Sequence, residues 1–227
     1  MSEEFRIRPR ISINKLAEYL VCTPRRRRRI IEDAKYPKDF IVTRFNDFYE
    51  VAPNFLASKP LDEDIIVRAV DQITNRPCGT EWEESNKQLN TELLNGLLDL
   101  PDLLDIETYE VAPIADISQI MCIANVDVSV RPEILLKVTN KKAESIGALK
   151  FYLPKSYPLN QAAAEYVATI IHNFMEKNYQ ENTIDYRHCF VFDVPTGELY
   201  QAPRSFRRRR QEVLEACMEI ADRWDRI

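Results

Sequence analysis

The sequence predicts an α/β or α+β chain, a central mixed sheet flanked by helices, with an N-terminal helical extension. Three observations lead there. Apolar residues recur at helical spacing through most of the first hundred positions and again after residue 160. From Ile106 to about residue 153 the period changes to two, the spacing of a half-buried strand. The resulting order, helices, strands, a helix, a strand pair and a helix, suits a layered mixed domain. The division expected is 1–60 as an arginine-rich helical extension and 61–227 as the α/β core.

Elements follow in order. Ser12 or Asn14 caps a short helix to Leu20. Thr23-Pro24 opens a second helix through the five arginines, which Pro37 ends. Residues 39–57 carry apolar and aromatic bursts that define no element. Leu61 to Thr74 shows a helical stripe, and Thr80 with Glu83 forms a capping box for a helix running to Leu100. A hairpin of strands near 107–115 and 118–130 comes next, with Cys122, Ala124, Val126, Val128 and Val130 on one face. Strands near 133–138 and 146–153 flank a polar turn. Residues 161–177 read as a helix, 188–194 as a strand turning through Pro195-Thr196-Gly197, and Phe206 to Trp224 as the last helix. Trp82 and Trp224 read as core.

Composition narrows the function. Hydrophobic residues make up 45% of 227, enough for a sizeable core. No apolar run nears the roughly 20 residues of a membrane span, and MSEEFRIRPR has no apolar signal core, so the expected location is cytoplasmic without a membrane partner. Five scattered cysteines without a CxxC pair read as reduced, mostly buried thiols. Four glycines leave no phosphate-cradling glycine loop. The net charge is −5, yet arginines cluster at 25–29 and 204–210. Arg25, Arg26, Arg27, Arg28 and Arg29, with Arg207 and Arg208, are the candidate phosphate contacts, because consecutive like charges repel unless a partner relieves them.

The candidate chemistry lies between Asn125 and Lys155. Pro132-Glu133 precedes one strand and Lys150 lies inside the next, 17 residues on. A carboxylate can hold Mg²⁺ or Mn²⁺, and a nearby lysine can orient the attacking water. With the element order, these motifs resemble the PD-(D/E)XK, or restriction-endonuclease-like, nuclease superfamily over roughly Glu81 to Val194. The resemblance implies a metal-dependent endonuclease, a hydrolase favouring DNA, in prokaryotic antiviral defence or mobile-element biology. It makes Glu133, Lys150 and Glu165 catalytic. It also asks for an acid at position 148, which is Ala148. Glu165 on the following helix, with Gln161 on the same side, or Asp127 on the preceding strand would then complete the metal site, helped by Glu81 or Glu84. The alternative is a nuclease-like domain that no longer cuts and binds nucleic acid or a protein partner, a second copy included. A third is an interaction protein whose arginines are paired with its acids.

Overall fold

The computed structural model describes residues 5–37, 44–114, 117–139, 144–155 and 157–227. The turn expected at 140–143 lies outside them, as do residues 115 and 116 in the expected hairpin.

The fold is mixed, with eight α-helices and two mixed sheets among the described residues. The first sheet joins β1 (Arg10–Ser12), β3 (Ile120–Ile123) and β4 (Val126–Ser129), with β1 parallel and β3 antiparallel to β4. The second takes β2 (Glu110–Pro113), β5 (Ile134–Thr139), β6 (Glu144–Tyr152), β7 (Ile184–Asp193) and β8 (Glu198–Gln201) in sequence order. Its pairs are antiparallel except β6 with β7, which are parallel and joined by helix α7 (Gln161–Asn178).

Strand β6 is buried along its last seven residues, as expected of a central strand covered on both faces. Its side chains divide by parity. Ile146, Ala148 and Tyr152 join a core with α7, α1 (Ile13–Val21) and α8 (Phe206–Trp224). Leu149 and Phe151 join a second core with α3 (Asn46–Ala57), α4 (Asp64–Asn75) and α5 (Glu81–Gly96). Helix α2 (Pro24–Lys35) adds Ile30 and Ile31 to the first core, and α6 (Leu100–Leu104) adds Leu100 and Leu104 to the second.

Local chemistry explains several boundaries. Ser12 accepts from the Lys15 N–H at the start of α1, and Thr80 and Glu83 form the full capping box of α5. Helix α3 falls in the segment that gave no clear pattern. Pro53 lies inside it and obscures the periodicity of Phe48, Ala52, Phe55 and Leu56, all of them buried.

The hairpin differs from expectation. Residues 118–130 form two strands, because Ala124 and Asn125 both take positive φ (46° and 64°), the requirement of a tight two-residue hairpin turn. The turn reverses the facing: Met121 and Ile123 are buried with Val126 and Val128, while Cys122 is exposed. Strand β2 pairs with β5 instead. Only Cys189 and Cys217 of the five free thiols are buried. Trp82 is 50% exposed, since it lies on the first turn of α5 while the helix begins burying side chains at Leu89; Trp224 is core as expected. No helix among the described residues is long and apolar enough to cross a membrane.

Gly147 on β6 and the two histidines, one on α7 and one on β7, are each set by close packing. A Cβ on Gly147 would lie 1.9 Å from the His188 carbonyl oxygen, backbone that cannot swing away. Gly147→Ala is therefore expected to cost at least about 3 kcal/mol, read as a lower urea midpoint. Both histidines, His172 and His188, are held below the ordinary histidine range, chiefly by burial, with the Arg210 charge adding at His172 and Arg187 at His188. Glu176 and Asp185 oppose the shift at His172, and Asp185 opposes it at His188. The unfolded chain then binds these protons more readily. The stability contribution is complete above the unfolded value of about 6.5 and is lost as pH falls toward the folded-state values. Urea midpoints should fall between about pH 7 and about pH 5.5, and the His172→Phe/His188→Phe double variant should flatten that slope.

Candidate functional site

Register brings the two principal candidates together. Ile134 pairs with Leu149, so the next step along the ladder sets Glu133 opposite Lys150, and the Glu133 N–H donates to the Leu149 carbonyl at 3.1 Å. The Lys150 ammonium donates to Glu133 Oε1 at 3.1 Å and to the Arg131 carbonyl at 2.7 Å. The Phe151 N–H donates to Glu133 Oε2 at 2.8 Å. Both carboxylate oxygens are thus engaged, and the two side chains are only 13% and 7% exposed.

The approach to this pair is strained. Arg131 has φ 48°, the left-handed region that a bulky residue rarely adopts, and its carbonyl is the one that Lys150 holds. Burial pushes the Glu133 carboxyl above the ordinary range, and the Lys150 charge and Phe151 N–H work against it. Tyr49 on α3 lies close enough that the Glu133 charge adds to burial in raising its hydroxyl. Neither Arg131 nor Tyr49 carried a sequence signal. Arg131 precedes a proline, which favours extended backbone rather than positive φ, and Tyr49 falls in the segment without a clear pattern.

The other candidates are elsewhere. Ala148 is fully buried, with Leu135 and Cys189 as its neighbours across the sheet. Glu165 accepts from Gln161 Nε2 at 2.8 Å and pairs with Arg209 of α8, so it fastens one helix to the other. Asp127 belongs to the three-stranded sheet, in register with Arg10 and Cys122. Glu81 and Glu84 lie on the first turn of α5, where Glu84 meets Lys87 at 3.2 Å. Among the described residues no three His, Cys, Asp or Glu side chains cluster. The residues that converge here offer a divalent ion one carboxylate whose oxygens are already bonded, which does not fit a hard cation that takes several oxygen ligands.

The arginine clusters are partly neutralised. Arg26 bonds Glu18 at 2.6 Å, Arg27 meets Glu219 at 3.4 Å, Arg28 meets Glu32 at 2.9 Å and Arg208 meets Glu212 at 3.5 Å. Arg25, Arg29 and Arg207 are exposed and have no acidic partner among the described residues. Arg25 and Arg29 are four apart on α2, hence on one side of it.

The fold and the pair define a class no narrower than a mixed α/β domain with a buried lysine–glutamate bridge at a strand start. No protein-family model matches the chain. No curated protein matches it in sequence.

Removing one member of a buried pair strands the other. Glu133→Ala and Lys150→Ala are each expected to cost about 3 kcal/mol, whereas the Glu133→Leu/Lys150→Met double variant recovers most of that loss. A double-mutant cycle by urea unfolding measures the difference.

Proposed function

We propose that this chain is a nuclease-like domain that holds nucleic acid, DNA in the first instance, without cutting it. The observation that carries this reading is the closed Glu133–Lys150 bridge: both carboxylate oxygens are bonded within the protein, beside a buried Ala148 where the superfamily resemblance asks for an acid. Within the five-stranded sheet the order β2, β5, β6, then α7, then β7 supports the nuclease-like part, since it follows the helix, three strands, helix, strand order that the resemblance implies, with β3 and β4 inserted into the other sheet. The exposed Arg25, Arg29 and Arg207 support the binding part, because unpaired guanidinium groups are ready phosphate ligands.

A second reading, a nuclease dependent on Mg²⁺ or Mn²⁺, draws on one specific observation. Glu133 and Lys150 meet on adjacent strand positions, the juxtaposition such chemistry needs. In that reading Glu133 would hold the metal and Lys150 would orient the attacking water.

Fluorescence anisotropy with single- and double-stranded oligonucleotides separates the readings. Binding is expected to weaken steeply between about 50 and about 200 mM salt. Replacing both Arg25 and Arg29 by Gln should reduce the salt slope by roughly 2 for a duplex. Incubation with Mg²⁺ should leave the strands intact. Metal-dependent cleavage abolished in both Glu133→Gln and Lys150→Met would select the nuclease, and absence of binding at low salt would exclude both.

A further inference from the structure

A cavity of about 510 Å³ opens beyond the C-terminal end of β6, between α1, the start of α2 and the start of α7. Its size is that of a small-molecule site. Tyr152, Val21 and Leu159 give it apolar walls, while Arg26, Thr23 and Asn14 supply polar groups.

Those polar groups are unspent. Arg26 commits its Nε to Glu18 at 2.6 Å, and its two terminal nitrogens make no hydrogen bond among the described residues. The Thr23 hydroxyl makes no capping bond to α2. Asn14 lines the cavity, while its Oδ1 is closed off from it and has no hydrogen-bond partner among the described residues. The Glu18 carboxylate also lines the cavity, but it is bonded by both Lys15 at 2.7 Å and Arg26, so the three leave one positive charge over. Tyr157 forms an exposed lip, its ring 5.6 Å from the Lys15 ammonium and 5.5 Å from the Arg26 guanidinium. Tyr152 fixes that lip by donating its hydroxyl to the Tyr157 carbonyl.

We propose that this cavity binds a nucleoside 5′-monophosphate unit. The terminal nitrogens of Arg26 fork onto the phosphate, as planar guanidinium groups do, and the Thr23 hydroxyl adds a donor. The base packs against Val21, Leu159 and Tyr152. Asn14 meets its edge through its amide N–H donors, which a nucleobase acceptor can take. The unit comes from a free nucleotide or from the 5′ end of a strand; the strand source rests on the nucleic-acid reading above, and the free source does not.

Calorimetric titration of the full chain with the four nucleoside 5′-monophosphates, with adenosine and with inorganic phosphate provides the test. At least one monophosphate is expected to bind tenfold or more tightly than adenosine or phosphate alone. Arg26→Gln should remove that preference, and Thr23→Val and Asn14→Ala should each weaken binding severalfold. Arg26 also holds Glu18, so the Thr23 variant, which breaks no side-chain hydrogen bond among the described residues, keeps the test independent of folding. Anisotropy with strands bearing a 5′-phosphate or a 5′-hydroxyl then assigns the source. Preference for the 5′-phosphate supports the strand end, and binding of monophosphates alone supports the free nucleotide. The proposal is overturned if no monophosphate binds at millimolar concentration and the two strand types bind equally, or if all three variants bind as the parent does.

Discussion

The two buried faces of β6 are the constraint on which the other layers depend. One parity of its side chains faces α1, α7 and α8, the other faces α3, α4 and α5, and β7 lies so close on one edge that only glycine fits at position 147. A strand fixed in this way cannot slip, because one residue of slip would exchange the two cores. That rigidity sets Lys150 opposite Glu133 and turns two residues 17 apart in sequence into an ion pair. The same fixed end of β6 presents Tyr152 to the cavity.

Charge explains why an acidic chain carries so many clustered arginines. Several of them act as fasteners between elements. Arg27 reaches from α2 to Glu219 on α8, Arg209 joins α8 to Glu165 on α7, and Arg210 spans to Glu176 and His172. Because a guanidinium only donates, Arg210 also fixes the tautomer of His172, whose Nδ1 must accept and whose proton must lie on Nε2. Partly buried ion pairs of this kind order helices relative to one another more than they add net stability. Within the two clusters, Arg25, Arg29, Arg204 and Arg207 remain outside any ion pair among the described residues, a smaller positive surface than the sequence runs suggest.

Much of the fold was legible in the sequence because its signals are local. The capping box at Thr80, the proline at position 24 and the stripes of α7 and α8 act within a turn or two, and they fell where periodicity put them. The failures come from signals that are not local. Asn125 tolerates the left-handed region but Ala124 beside it does not announce one, although Ala124-Asn125 sends the chain back and exchanges the roles of Cys122 and Ile123. At the candidate site, Glu133 and Lys150 were singled out by the motif resemblance, and the antiparallel register of β5 and β6 brings them together. The destinations of Glu165 and Asp127 were not readable, since they depend on how α8 and β1 dock, and those contacts span long stretches of chain.

The clasp between remote parts of the chain has a kinetic consequence. Trp224 donates its indole N–H to the Arg6 carbonyl at 3.0 Å, and Lys35 donates to the Trp224 carbonyl at 2.7 Å. Strand β1 meanwhile waits for β4, more than a hundred residues later. The layer built on α1, α2 and α8 is therefore of high contact order, closing a separation of 218 residues between Arg6 and Trp224, while α3, α4 and α5 pair with near neighbours. During synthesis α3, α4 and α5 can pair with one another as they emerge, and the first layer stays open until α8 has been made.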